Sequence, residues 1–338
     1  MKNRPKLSLS AELAGRKEAH IDLAARAQTG VSDVDGRFNY EPLFFTHPDP
    51  ETTWPVKFLG HNLEAPIWIS SMTGGTEFAK KINHNLAWLC GKYKLGMGLG
   101  SCRSLLHSDD TLDDFNVRSS LGDQPFFANL GMAQVEELVV QNKIDTIHEV
   151  VRKLEATGLI IHLNPLQEWF QPEGDRYTIS PLETLKRFLD HCSYPVIVKE
   201  VGQGLGPRSL KALLELPLKG IEFGAFGGTN FSLLENMRSQ KNLIKEPFIQ
   251  VGHTAHEMVS FLNALPVHGQ EFIISGGIKN VLDGFELKST LKAPCVIGMA
   301  AAFLTPAIEG QETLEKYFLS LRESLLVARG ILEVKGDQ

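Results

Sequence analysis

Short hydrophobic runs recur along the chain from Pro66 onward. Each ends in small or polar residues and is followed by a stretch with helical spacing. The runs are Pro66–Ser70, Gly96–Leu99, Phe126–Leu130, Leu159–Leu163, Val196–Lys199, Gly220–Phe223, Phe272–Ser275 and Cys295–Gly298. They alternate little between apolar and polar, the pattern of parallel strands covered on both faces. The segments Phe78–Tyr93, Ala133–Thr157, Ser180–His191 and Asn280–Thr290 fit the intervening helices. Such a series of β-then-α units predicts an α/β chain folded as a (β/α)8 TIM barrel. A doubly wound open sheet has the same periodicity, and periodicity does not show closure. Residues 61–338 are therefore read as the barrel and residues 1–60 as an irregular N-terminal extension. The extension holds one helix, Ser10–Ala27, with Ser10 as N-cap and Gly30 as stop. Asp33–Pro50 reads as loop. Glu235–His253 is a long connection, expected to run over the barrel mouth.

Composition narrows the function classes. The chain has 338 residues, 43 % hydrophobic and 22 % charged, the profile of a globular protein. Its net charge of −6 does not indicate a nucleic-acid surface. No apolar run approaches a membrane span, and the polar start Met1-Lys2-Asn3-Arg4-Pro5 does not read as a signal peptide. Four cysteines, Cys90, Cys102, Cys192 and Cys295, have neither paired nor metal spacing, which points to a reducing, cytoplasmic setting.

The strand ends carry the chemistry. Ser275-Gly276-Gly277-Ile278-Lys279 follows the seventh run and Gly298-Met299-Ala300-Ala301 the eighth. In a barrel these two loops commonly hold a phosphate against backbone N–H groups and a helix N-terminus; alternatively, their glycines only make tight turns. Ser70-Ser71-Met72-Thr73-Gly74-Gly75 ends the first run, and its backbone is suited to lie along a flat ring, with Thr73 as a hydrogen-bonding group. Gly100-Ser101-Cys102-Arg103, Asn129-Leu130-Gly131 and Gly227-Gly228-Thr229 are further polar strand ends. Lys199 follows a buried triplet and calls for an anionic partner, either an electron-rich ring or Glu200. Arg16, Lys17 and His20 share one helix face and suit a diphosphate grip that Arg103 could join, or form an ordinary solvated basic face. Finally, His162-Leu163-Asn164-Pro165-Leu166-Gln167-Glu168 packs an imidazole, two carboxamides and a carboxylate at one strand end. Glu168 is the hard-oxygen candidate for Mg²⁺, alongside substrate phosphate. The plainer alternative is a helix-capping Asn and a core His.

Taken in order, Arg16-Lys17-x-x-His20, Ser71-Met72-Thr73-Gly74-Gly75, Gly100-Ser101-x-Arg103, Asn129-Leu130-Gly131, His162-x-Asn164-x-x-Gln167-Glu168, Val198-Lys199-Glu200, Gly227-Gly228-Thr229, Ser275-Gly276-Gly277-Ile278 and Gly298-Met299-Ala300 resemble the motifs of the type 2, flavin-dependent isopentenyl-diphosphate Δ-isomerases. The resemblance runs from about residue 16 to residue 304. It implies a barrel with FMN at its C-terminal mouth that interconverts isopentenyl and dimethylallyl diphosphates for isoprenoid biosynthesis. It also implies Mg²⁺, reduced FMN without net redox change, NADPH as priming reductant, and a homo-oligomer, tetramer or octamer. Carried over by position, Arg16, Lys17, His20, Arg103, His162, Asn164 and Gln167 contact substrate and Glu168 binds Mg²⁺. Ser71, Met72, Thr73, Ser101, Asn129, Lys199 and Thr229 contact FMN, with Gly276, Gly277, Lys279, Ala300 and Ala301 around its phosphate. Cys102 replaces the family's usual Gln and Lys279 its usual Arg. Glu222-Phe223-Gly224-Ala225-Phe226 stands where the family usually shows an Asp-led, Ser-containing segment. Two rivals are an FMN oxidoreductase of the hydroxy-acid oxidase kind and a non-catalytic flavin-binding barrel. The oxidase needs a late His–Arg pair that the chain lacks, and a mere scaffold has no need of the Arg16–Lys17–His20 and Gln167–Glu168 groups.

Overall fold

The computed structural model of the protein describes residues 9–71, 77–239 and 242–336. Its centre is a closed barrel of eight parallel strands. These are β1 (Ile67–Ile69), β2 (Gly96–Gly98), β3 (Phe126–Gly131), β4 (Gly158–Leu163), β5 (Val196–Glu200), β6 (Gly220–Glu222), β7 (Glu271–Ser275) and β8 (Cys295–Met299). Closure comes from β8 pairing with β1, Ile297 opposite Ile67 and Met299 opposite Ile69. That pairing excludes the open sheet. All eight hydrophobic runs are strands, and their side chains are almost wholly buried, inward against one another and outward against the helices.

An antiparallel hairpin, Val56–Phe58 with His61–Leu63, lies against one end of the barrel. Its turn places Leu59 and Gly60 at positive φ. Phe58, Leu59 and Leu63 join Trp68, Phe127, Ile160, Ile197, Ile273 and Val296 in one apolar cluster. The Trp68 ring meets Phe58 and Phe127 edge-on, with centroids 5.8 and 5.9 Å away. Glu271 at the start of β7 accepts the Leu59 N–H at 2.7 Å, so the hairpin plugs the N-terminal end. Truncating Trp68 at the centre of this plug would cost about 3–5 kcal/mol. With the bottom sealed by apolar packing, polar chemistry is left to the C-terminal mouth.

Helical readings shift in detail. Ala133–Thr157 is two helices, Met132–Val140 and Ile144–Lys153, because Asn142 turns into the left-handed region (φ 54°) that Asn tolerates better than most residues. The first helix spans Leu9–Ala24, so Ser10 lies inside it rather than capping it; the Gln28 side-chain amide binds the Ala24 carbonyl at its end. Asp33–Pro50 is not all loop, since it holds the short strand Phe38–Tyr40 and the 3₁₀ turn Pro42–Phe44. Two compact units emerge, Met1–Asn39 and Tyr40–Gln338.

The connection between β6 and β7 holds the helix Phe231–Arg238, the 3₁₀ turn Glu246–Gln250 and the helix Ala255–Asn263. Its first part rests on the helix Pro165–Phe170 that follows β4. Gln171 Nε2 donates to Glu235 Oε1 at 2.8 Å and Lys245 Nζ donates to the Trp169 carbonyl at 2.7 Å. The same ammonium sits 4.4 Å from the Trp169 ring centroid, a cation–π contact. Among the described residues no helix is long and apolar enough to cross a membrane.

Candidate functional site

Parallel register assembles the first part of the site. Gly131 on β3 lies opposite His162 on β4, His162 opposite Lys199 on β5, and Lys199 opposite Glu222 on β6. One rung at the mouth thus carries an imidazole, an ammonium and a carboxylate. His162 Nδ1 is 2.7 Å from Asn129 Oδ1. Burial, with the nearby Lys199 ammonium second, depresses the His162 pKa to about 4. The ring is therefore neutral at pH 7. Its Nδ1–H donates to Asn129, which leaves Nε2 as an acceptor.

Beyond His162 the chain turns sharply into the helix Pro165–Phe170, with Asn164 as N-cap and Pro165 at the first helical position. Asn164 is buried. Its Nδ2 donates to Glu168 Oε1 at 2.8 Å and its Oδ1 accepts the Tyr177 hydroxyl at 3.0 Å. Gln167 Oε1 lies 3.3 Å from the same Nδ2. Glu168 Oε2 accepts the Asp175 N–H at 2.8 Å. Asp175 is itself held by Gln134 Nε2 at 2.9 Å and by Arg103 at 3.0 Å. Glu136 secures the next residues by accepting from Thr178 N and Oγ1 and from Ile179 N. Among the described residues no three His, Cys, Asp or Glu side chains converge as a metal cage. A single carboxylate with spare acceptor positions still suits Mg²⁺, which takes its other ligands from phosphate and water.

The second part is a cavity of about 290 Å³ across the mouth, lined from the ends of β1, β5, β6, β7 and β8. Ser71, Lys199, Thr229, Gly276, Gly277, Ala300 and Ala301 all line it. Ser70 Oγ, Ser71 Oγ and both Glu222 carboxylate oxygens are buried at this cavity without a hydrogen-bond partner among the described residues. Unsatisfied groups of this kind call for a polar occupant. The cradle after β7 is fixed by Gly276 (φ 86°), where a Cβ would lie 2.2 Å from the Ala225 carbonyl oxygen. Opposite it, the helix Ala301–Glu309 begins at Ala300 with no side-chain cap, so its first N–H groups are free for an anion. Lys199 Nζ donates to the Glu200 carbonyl at 2.9 Å and stands 3.5 Å from Glu222 Oε1. Such a wall, with an ammonium, orphaned hydroxyls and an uncapped helix start, fits a flat heteroaromatic ring bearing a phosphate tail.

Other expected residues fall elsewhere. Asn129 is buried beside His162 and outside the cavity lining. Ser101 is exposed on the loop after β2. Lys279 is exposed, its backbone N–H bound to Asp283 Oδ2 at 2.9 Å, and is absent from the cavity wall. Met72 and Thr73 lie outside the described residues. Arg16, Lys17 and His20 are exposed on the helix of the first compact unit. Cys102 is fully buried, and desolvation pushes its thiol up to about 12, so it is no reactive thiol. Asp175, Tyr177, Gln134 and Glu136 organise Asn164 and Glu168, yet no motif marks them in the sequence.

No family model matches the chain. The isopentenyl-diphosphate delta-isomerase of Rickettsia felis is 35 % identical over 322 residues, covering 92 % of this chain and 90 % of that protein. The enzyme of the same name from Pseudescherichia vulneris is 35 % identical over 327 residues, covering 94 % and 92 %. Among solved structures, mandelate oxidase superposes with a TM-score of 0.57 at 12 % identity, over 87 % of this chain and 82 % of that one. A variant of it bound to (S)-mandelic acid gives 0.58 over the same shares. At that identity the likeness is one of fold. Sequence identity of this extent, on a closed barrel with its polar groups gathered at one mouth, makes the chain a member of the type 2 isopentenyl-diphosphate delta-isomerase family and an isomerase by activity.

Proposed function

We propose that the protein interconverts isopentenyl and dimethylallyl diphosphates in isoprenoid biosynthesis, with reduced FMN in the mouth cavity, Mg²⁺ at Glu168 and NADPH as the priming reductant. The observation that carries the reading is the cavity wall: Lys199, the orphaned Ser70 and Ser71 hydroxyls, the Gly276–Gly277 cradle and the uncapped start of the helix at Ala301. A mandelate oxidase of the same fold, in a form carrying an FMN adduct, lends support. When bound, the flavin supplies an electron-rich ring and an acidic proton donor, which hydrocarbon isomerisation needs.

The chain's own residues bind and orient. Gly276, Gly277, Ala300 and Ala301 hold the cofactor phosphate through backbone N–H groups, and Lys199 favours a negatively charged ring. Glu168 supplies one carboxylate to Mg²⁺, fixed by Asn164 and the Asp175 N–H. Neutral His162 and Gln167 orient the substrate at the mouth, while Arg16, Lys17, His20 and Arg103 grip its diphosphate. Positioning of this kind lowers the barrier without any change in acidity of the groups concerned. The described cysteines are all free thiols, in keeping with a cytoplasmic setting. Exposed Leu243, Ile244 and Val251 supply apolar surface for a homo-oligomer, tetramer or octamer.

The test is to load the purified protein with FMN and add isopentenyl diphosphate and Mg²⁺ with and without dithionite. Product formed only after reduction, with no stoichiometric consumption of reductant, is expected. Bound flavin without isomerisation in either state would overturn the assignment.

A further inference from the structure

Four carboxylates near the barrel ends are buried or nearly so, and three are satisfied locally. Glu200 accepts N–H groups from Gly202, Gln203 and Gly204 at 2.7, 2.5 and 3.0 Å. Glu168 has one donor on each oxygen. Glu271 binds the Leu59 N–H and Lys219. Glu222 differs. It is fully buried and lines the mouth cavity, and neither oxygen has a hydrogen-bond partner among the described residues. Its opposite charge is Lys199 Nζ, 3.5 Å from Oε1, which also lines the cavity and spends one proton on the Glu200 carbonyl. Register explains the pairing, since Lys199 and Glu222 sit opposite each other on neighbouring strands. An isolated buried carboxylate is costly, so Glu222 is held there by the ammonium and by whatever enters the cavity.

We infer that Glu222 is a charge-balancing residue: it offsets the Lys199 ammonium on the cavity wall and so sets the reduction potential of the flavin bound there. The inference rests on the proposed flavin site. Reduction delivers two electrons to the ring, with fewer than two protons where the reduced ring stays anionic, so negative charge builds up at the wall. An unbalanced ammonium favours that state and the Glu222 carboxylate opposes it. Lys199 sets the sign of the local field and Glu222 its size. Glu222 acts through Lys199 and the field, which makes it a positioning rather than a catalytic residue.

Holoprotein loaded with FMN tests this, first by quenching of flavin fluorescence on binding and then by dithionite titration against a reference dye. Failure of the wild-type protein to take up FMN would sink the flavin-site reading and this inference with it. Given uptake, Glu222→Gln should shift the reduction equilibrium at least tenfold toward the reduced form, about +30 mV for a two-electron couple. Glu222→Asp, which keeps the charge, should stay near the wild-type potential. Should Glu222→Gln not fold, the double variant Lys199→Met/Glu222→Gln, in which the buried pair is removed whole, is measured instead. Because the two charges offset each other, its reduction equilibrium should stay within tenfold of wild type (about 30 mV), and a larger fall would show that the ammonium acts without the carboxylate and overturn the inference. An unchanged potential in Glu222→Gln, with FMN bound, overturns it as well.

Discussion

Replacing Glu168 by Gln changes one atom and separates two roles that the structure gives this residue. Each carboxylate oxygen now faces a donor: Oε1 meets Asn164 Nδ2 and Oε2 meets the Asp175 N–H, both at 2.8 Å. A glutamine has a single carbonyl oxygen, so its NH₂ must point at one of those donors. Inverting the Asn164 amide would accommodate it but would strand the Tyr177 hydroxyl proton, which Asn164 Oδ1 accepts at 3.0 Å. One buried donor therefore goes unpaired, at a cost of about 1–3 kcal/mol. At roughly 2–4 °C per kcal/mol, the melting temperature should fall by several degrees. Separately, the carboxylate uses two of its roughly four acceptor positions on protein donors, which leaves the others for a cation. Loss of its charge should lower turnover by at least about tenfold, an effect eased by raised Mg²⁺. FMN uptake should be untouched, because Glu168 is not part of the cavity wall. Thermal unfolding, Mg²⁺ titration of the rate and flavin fluorescence read the three effects independently. A lowered melting temperature with wild-type Mg²⁺ dependence would leave Glu168 only as the anchor of the Asp175–Tyr177 segment. Unchanged melting would refute the hydrogen-bond argument itself.

Gly276→Ala forces a Cβ to within 2.2 Å of the Ala225 carbonyl oxygen at a φ of 86°. The backbone term alone is about 1–2 kcal/mol, so FMN affinity should fall at least tenfold in a fluorescence titration; wild-type affinity would show that the cradle is not the phosphate site. His162 has its pKa lowered from 6.5 to about 4. A depressed folded-state value means that the neutral ring's contribution is present above pH 6.5 and is lost as pH falls from there through 4, about 3 kcal/mol in all. Urea midpoints at pH 7 and 4.5 should therefore diverge in the wild type and converge in His162→Gln; an equal pH dependence in both would count against a half-buried neutral ring. Arg16→Ala should raise KM for isopentenyl diphosphate about tenfold with flavin uptake unchanged, and an unaltered KM would return the first helix to an ordinary solvated face.

The barrel is legible in the chain because each strand is buried on both faces, so runs such as Leu159-Ile160-Ile161 are continuous and apolar rather than alternating. Closure is not legible, since it depends on Ile67 meeting Ile297 across nearly the whole chain. Nor is the break at Asn142, where local backbone freedom ends a helix that hydrophobic spacing would carry on. In the site, Lys199 stands out as a charge directly after a buried triplet, and Asn164 and Glu168 as polar residues packed at one strand end. Asp175 and Tyr177 carry no such mark, because their importance lies in which atoms they happen to reach: a backbone N–H aimed at Glu168 and a hydroxyl aimed at Asn164.

Glu200 and Glu222 show why the distinction needs three dimensions. Both are buried carboxylates at adjacent strand ends, yet the sequence offers Lys199 only Glu200 or a bound ring as its anionic partner. Burial raises the Glu200 pKa, and the three backbone N–H groups that converge on it pull the other way, so this carboxylate is consumed in shaping the turn after β5. Lys199 hydrogen-bonds the Glu200 main-chain carbonyl, and its charge acts on that carboxylate without a direct ion pair among the described residues. Glu222 has no hydrogen-bond donor on either oxygen among the described residues, and it lines the cavity with the Lys199 ammonium 3.5 Å from Oε1. A carboxylate that the fold satisfies is explained by the fold. One that the fold leaves unsatisfied beside a cavity is explained by what the cavity receives.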